Sequence, residues 1–213
     1  MNRKIKIDLD RLKTYIVEIE IDEYNDVNPR VDIDGHLTIF ALFHKKYLLP
    51  NDTDINSKEH GSWEEIEEQL HKDYPDIVAI SRVYMYEHSG IGLSTSNARY
   101  PFNCRWDSGT VGFVFITQER IDEFKATLTE EECYSLISND VEEYSHYVSG
   151  NVYRFEINEK VYCQCCAQFR HDHIDSCSGF YGYNIEDNGM LEHILPNFPE
   201  EMREEVKSKL LNL

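Results

Sequence analysis

Residues 62–86 read SWEEIEEQLHKDYPDIVAISRVYMY, and the change of periodicity inside this stretch decides the fold class. Ser62 followed three residues later by Glu65 forms a capping box ahead of Trp63, Ile66 and Leu70, whose spacing of three and four lays them on one helical face. From Asp76 to Tyr86 the pattern becomes Ile77, Val78, Ala79, Ile80, Val83 and Tyr84, the β-branched and aromatic content of a strand.

The same two textures recur outward in both directions. Thr129 with Glu132 repeats the capping box before Cys133, Leu136, Ile137 and Val141; another helix follows Thr117 across Ile121 and Phe124; a last one runs from about Glu200 through Met202, Val206 and Leu210. Thr110 to Ile116 reads as a strand, and Tyr15 to Ile21 alternates with Glu18 and Glu20 as a half-solvated strand, with His36 to Phe43 as its expected partner. Val152 to Ile157, a turn at Asn158-Glu159-Lys160, and Val161 onward predict a hairpin. Without a βαβ repeat, these elements predict an α+β fold: a mainly antiparallel or mixed sheet with acidic amphipathic helices packed on it. The expectation is a single domain over 1–213, with 158–177 as a Cys/His-rich hairpin insert.

Forty acidic residues against 21 basic give a net charge of −19, while 41% apolar and 12% aromatic content is that of a folding chain. The acid is segregated. Residues 51–76 hold nine acids and two bases and 117–160 hold eleven and four, but 77–116 hold two and three. Such a field opposes direct binding to nucleic acid, which needs Lys and Arg on its phosphates, and favours a basic protein surface as partner. Glu64, Glu65, Glu67, Glu68, Glu130, Glu131, Glu132, Glu142 and Glu143 are the candidate partner-binding residues, although solubility alone also accounts for acidic helix faces. No apolar run reaches the length of a membrane span and no apolar segment follows the basic start, so the expected compartment is the cytoplasm, with reduced thiols.

Four constellations carry polar chemistry. Tyr84 to Ser96 runs an aromatic strand into a loop with His88, Ser89, Gly90 and Gly92, where His88 can serve as a general base. Phe102 to Gly109 ends in Asp107-Ser108-Gly109; turn chemistry explains these residues, and a catalytic or ligand-binding carboxylate at a strand mouth also fits Asp107. Cys163, Cys165 and Cys166 are followed by His171, His173 and Cys177. Cys163 and Cys166 with either histidine and Cys177 supply the four ligands of a structural zinc, although alternation along a hairpin also explains Cys163 and Cys165. The fourth, Asp175-Ser176-Cys177-Ser178-Gly179-Phe180-Tyr181-Gly182, adds Asp175 and Cys177 to the catalytic candidates.

The series Tyr86-x-His88-Ser89-Gly90, Pro101-Phe102-x-Cys104-x-Trp106-Asp107-Ser108-Gly109-x-Val111-Gly112, Glu143-Tyr144-x-x-Tyr147-x-Ser149-Gly150-x-Val152-Tyr153 and Asp175-Ser176-Cys177-x-Gly179-Phe180-Tyr181-Gly182 resembles a family of uncharacterised proteins carried by bacteriophages and integrative elements, chiefly of Gram-positive bacteria. The likeness spans roughly residues 76–190. Arg105 stands where that family more often has Pro, and Ser178 where it more often has an aromatic. Many members lack a Cys-rich insert yet keep the match to Cys177, which argues against a zinc role for Cys177.

The resemblance implies a mobile-element accessory protein. Joined to the acidity, it predicts binding to a basic host surface such as a nuclease, in the manner of an anti-CRISPR or anti-restriction nucleic-acid mimic. The alternatives are an enzyme of a small molecule or nucleotide signal using His88, Asp107 and Asp175, and a zinc-stabilised adaptor.

Overall fold

The computed structural model describes residues 3–8, 13–88, 90–95, 102 and 106–212. In chain order its elements are strands β1 (Arg3–Asp8), β2 (Lys13–Ile21) and β3 (Ile39–Leu42), helix α1 (Trp63–Asp73), strands β4 (Ile77–Glu87), β5 (Ile91–Thr95) and β6 (Ser108–Thr117), helices α2 (Gln118–Glu123) and α3 (Glu130–Val148), strands β7 (Val152–Cys163) and β8 (Gln168–Tyr181), and helices α4 (Met190–Ile194) and α5 (Glu200–Leu211). The fold is α+β with two antiparallel sheets. Where the sequence suggests one domain, the chain gathers into two compact units: 1–27 with 150–213, built from both ends, and 28–149 from the middle.

In the middle unit the strand order is β3-β6-β4-β5. β6 is buried without a break from Val111 to Thr117, because both faces of the sheet are covered. Alternation sends Phe113 and Phe115 into one cluster with Ile66 and Leu70 of α1, and Val114 and Ile116 into another with Ile137 and Val141 of α3. Each such side chain contributes about 1.5–3 kcal/mol by leaving water. β3, buried at all four positions, pairs with β6 through Ile39↔Phe115 and Ala41↔Phe113. This corrects the expected pairing of 36–43 with 15–21: a strand apolar on both faces needs a sheet covered on both.

The helix starts follow the capping chemistry. Thr129 and Glu132 make the full reciprocal box, with the Glu132 carboxylate accepting from Thr129 N at 2.7 Å. At α1, Ser62 Oγ accepts from Glu65 N at 3.2 Å, but the Glu65 carboxylate reaches past Ser62 to Gly61 N at 2.6 Å.

In the unit of the chain ends the order is β1-β2-β7-β8. Tyr15, Val17 and Ile19 of β2 join Phe155 and Ile157 of β7, Met190 and Ile194 of α4, and Val206 and Leu210 of α5 in one core. Glu18 and Glu20 stay half-exposed and pair with Lys4 and Arg154, their cross-strand neighbours on β1 and β7. The expected turn at Asn158-Glu159-Lys160 is instead strand. Those residues lie in mid-ladder, paired to Ile16, Tyr15 and Thr14 on one side and to His173, Asp172 and His171 on the other. Backbone hydrogen bonds from two neighbours override the local turn preference. The hairpin turns at 164–167, where Ala167 takes φ 53°.

Candidate functional site

Antiparallel pairing of β4 with β6 brings the end of one motif beside the start of another. Met85↔Gly109 and Tyr86↔Ser108 are register partners, and Glu87 N donates to Asp107 O at 2.7 Å. His88 leaves β4 at that point, and its N–H donates to Gly90 O at 3.3 Å. His88 Nδ1 consequently stands 3.4 Å from Asp107 Oδ2, a loose, accessible pair with His88 65% exposed. Tyr86 stacks on Phe102 at 5.6 Å, and Trp106 is 97% exposed.

One residue earlier, the Glu87 carboxylate accepts from Lys46 Nζ and from Tyr47 OH, each at 2.9 Å. The Lys46 ammonium and then the Tyr47 hydroxyl hold the Glu87 carboxyl below its ordinary range, and Glu87 in turn pushes the titrations of Lys46 and Tyr47 up. His44 stacks on Tyr47, with centroids 5.0 Å apart and planes at 17°. His44, Lys46, Glu87, Trp106 and Asp107 help to line an open cavity of about 400 Å³. An imidazole oriented by a carboxylate beside a Lys–Glu–Tyr cluster can shuttle a proton and orient a polar ligand.

The four catalytic candidates divide between the units, His88 and Asp107 in one, Asp175 and Cys177 in the other. Asp175 serves architecture. Its two carboxylate oxygens accept from Ser176 N at 2.9 Å and from Asn197 Nδ2 at 2.8 Å, tying β8 to the turn after α4. Cys177 packs against the core of its unit. Ser89, Ser96, Cys104 and Arg105 of the sequence motifs lie outside the described residues.

The thiols regroup as well. Cys163, Cys165 and Cys166 bring their Sγ atoms within 4.8 Å of one another at the hairpin tip, and this trio can hold a metal ion. Two thiolates on one zinc, each at about 2.3 Å, stand about 3.8 Å apart, which the trio accommodates. His171 and His173 do not join it. Cys163 pairs with Gln168, whereas His171 pairs with Lys160 and His173 with Asn158, an odd number of steps along the ladder, so both histidines point from the opposite face. Cys177 pairs with Phe155, eight residues from Cys163 and about 27 Å along the strand. The Cys163 thiol is pulled down to about 6, first by its bond with Cys165 and then by Cys166 N–H.

Most of the nine proposed partner-binding carboxylates have work inside their own unit. Glu64 and Glu67 both close on Arg82, at 3.2 and 3.0 Å; Glu65 and Glu132 cap helices; Glu142 lies 3.9 Å from His146. Glu143 keeps exposed surface, yet lost hydration and then the nearby Asp140 push its carboxyl up. Glu68, Glu130 and Glu131 remain exposed, with no side-chain hydrogen bond or ion pair among the described residues.

Arg30, which no sequence motif marks, is part of the middle unit's core. Its side chain is 4% exposed and donates to Thr38 Oγ1, Thr38 O and Asp52 Oδ2 at 2.9–3.0 Å, with Asp140 at 3.7 Å and the Phe40 ring 4.0 Å beneath the guanidinium. A lone arginine in a polar stretch gives no sign of burial; only the carboxylates that meet it, 22 and 110 residues away, reveal its role.

Fold and site together define an α+β protein of two antiparallel-sheet units, one of which carries an exposed His88–Asp107 pair at the edge of an open cavity lined by Asp107. No protein-family model, curated protein or solved structure matches the chain. Among the described residues no helix is long and apolar enough to cross a membrane.

Proposed function

We propose that this protein is a mobile-element accessory protein that acts in the host cytoplasm by docking on a basic protein surface, most pointedly as an anti-CRISPR or anti-restriction inhibitor of a nuclease. What supports this is the net charge of −19 combined with the position of the uncommitted carboxylates. Glu68 on α1 and Glu130 and Glu131 on α3 offer charge to a partner without breaking a cap or an ion pair. A nuclease channel tuned to phosphates attracts such groups over long range, and the same field keeps the protein off nucleic acid itself. The test is inhibition of purified host defence nucleases across a salt series. The triple reversal Glu68→Lys, Glu130→Lys, Glu131→Lys abolishes inhibition while H88A/D107N preserves it; absence of inhibition throughout the panel defeats the reading.

A second reading follows from the 3.4 Å contact of His88 with Asp107: acid–base chemistry on a small molecule or nucleotide signal. It predicts the reverse pattern, with H88A or D107N abolishing function in vivo and the charge reversals leaving it intact.

At the hairpin tip we propose zinc held by the thiolates of Cys163, Cys165 and Cys166, with a water molecule completing the tetrahedron, since soft sulfur ligands suit that ion. Metal analysis of protein expressed with zinc tests it. Stoichiometric zinc that is lost in C163S/C166S supports the site, and metal-free protein overturns it.

A further inference from the structure

A second, larger cavity adjoins the first in the same unit, sharing His44 and Thr110 with it, and lies between the segment after β3 and the start of α1. It measures about 1010 Å³, at the upper end of the range for small-molecule sites. His44, Lys45, Lys58 and His60 line it, together with Tyr47 and Trp63, and among the described residues no carboxylate lines it. That composition is unexpected in a unit whose sequence holds twenty-two acidic residues against ten basic.

Lys45 and Lys58 have no carboxylate within ion-pairing distance among the described residues, whereas Lys46, next in sequence, is held 2.9 Å from Glu87. Neighbouring lysines thus play different parts, one locked into an ion pair and the others left open over a cavity. At the start of α1, Ser62 Oγ takes the Glu65 N–H and the Glu65 carboxylate takes the Gly61 N–H, so the cations that face the cavity are side chains. The lining is also aromatic: His44 lies parallel to Tyr47, and Trp63 is half-buried with its edge on Phe113 at 6.4 Å.

We propose that this groove binds a mononucleotide, with the phosphate on Lys45, Lys58 and His60 and the base against the aromatic side chains. The cations neutralise phosphate, and a ring face accepts any base by stacking. A nucleic-acid strand is disfavoured, because outside this groove the acidic field repels a chain of phosphates. A bare phosphate leaves the aromatic side chains unused.

The test is isothermal titration calorimetry of the full chain with AMP, ATP and inorganic phosphate. The expected result is saturable one-to-one binding of a nucleotide, about tenfold or more tighter than phosphate, weakened about tenfold or more in K45E/K58E and unchanged in K72E, an exposed lysine of α1 outside the lining. Circular dichroism and thermal melting check that the variants stay folded. No nucleotide binding, binding no tighter than that of phosphate, or equal binding by K45E/K58E overturns the proposal.

Discussion

Gly112 passes so close to β3 that a Cβ built on it stands 2.0 Å from the Ala41 carbonyl oxygen and 2.9 Å from the Leu42 Cα. The residue also takes φ +148° at the point where the β4–β6 register shifts and Val111 becomes the extra residue of a bulge. Both obstacles are backbone, so no side chain can swing away to make room. Gly112→Ala is expected to destabilise the protein by about 2–4 kcal/mol, read as a lower urea midpoint with an unchanged slope. Gly109→Ala, on the same strand with open space at its Cβ, serves as the control and costs under about 1 kcal/mol.

Arg30 supports a second stability prediction. Removing it leaves Asp52 and Asp140 without their shared cation and strips a ring contact from Phe40. The loss expected for Arg30→Ala is about 2–3 kcal/mol, less than for a fully buried pair, because Arg30 is buried but Asp52 and Asp140 keep about a third of their side-chain surface in water. Asp52→Asn is also costly: Asp52 Oδ2 accepts from the Phe40 N–H at 2.8 Å as well as from Arg30, and it is the stronger of the two carboxylate contacts. Chemical denaturation of the single and double variants measures the coupling; additive losses would show that the three groups do not act as a network.

How far the fold was legible depends on whether local or distant partners decide an element. The starts of α1 and α3 were readable because a cap and its acceptor sit three residues apart, and β6 was readable as an apolar run. The division into two units was not, since Val17 meets Ile157 across 140 residues and nothing local to either marks the pairing. Asn158-Glu159-Lys160 misled for the same reason, its conformation being set by β2 and β8 rather than by its own polarity. At the site, His88 and Asp107 were legible as residues, but their meeting depended on the register of β4 against β6. The metal ligands failed at the second sphere of inference: spacing admitted His171 and His173, and strand pleat excluded them.

Glu87 provides a test by titration. In the folded chain the Lys46 ammonium and the Tyr47 hydroxyl lower its carboxyl titration, so the stabilisation this group brings is present above its unfolded value and is lost only as pH falls through the lowered folded value, on the acid side of the ordinary carboxylate range. Carbon-detected NMR of the Glu87 side chain is expected to give a midpoint below that of a free glutamate. K46M moves it upward most, because the lysine bond is the larger cause, and Y47F moves it less. A midpoint unmoved by K46M would mean that the pair does not persist in solution.

Among the thiols of the described residues, Cys163 is expected to react first. Its titration is drawn down to about 6 by Cys165 and by the Cys166 N–H, while the same contact raises that of Cys165. Thiolate, not thiol, attacks an alkylating agent, so at pH 7 Cys163 is mostly in the reactive form and Cys165 is not. Iodoacetamide labelling followed by peptide mass spectrometry is expected to place the first modification on Cys163, with a rate that rises through about pH 6 and levels off above it. In C165S the rise moves toward the range of an ordinary cysteine, since the principal partner is gone, and buried Cys133 stays unlabelled in the folded protein. Prior addition of zinc occupies the same three sulfurs and suppresses labelling of Cys163. Equal rates at Cys163, Cys165 and Cys177 across the pH series would show that the tip thiols do not interact, and the metal assignment would fall with them.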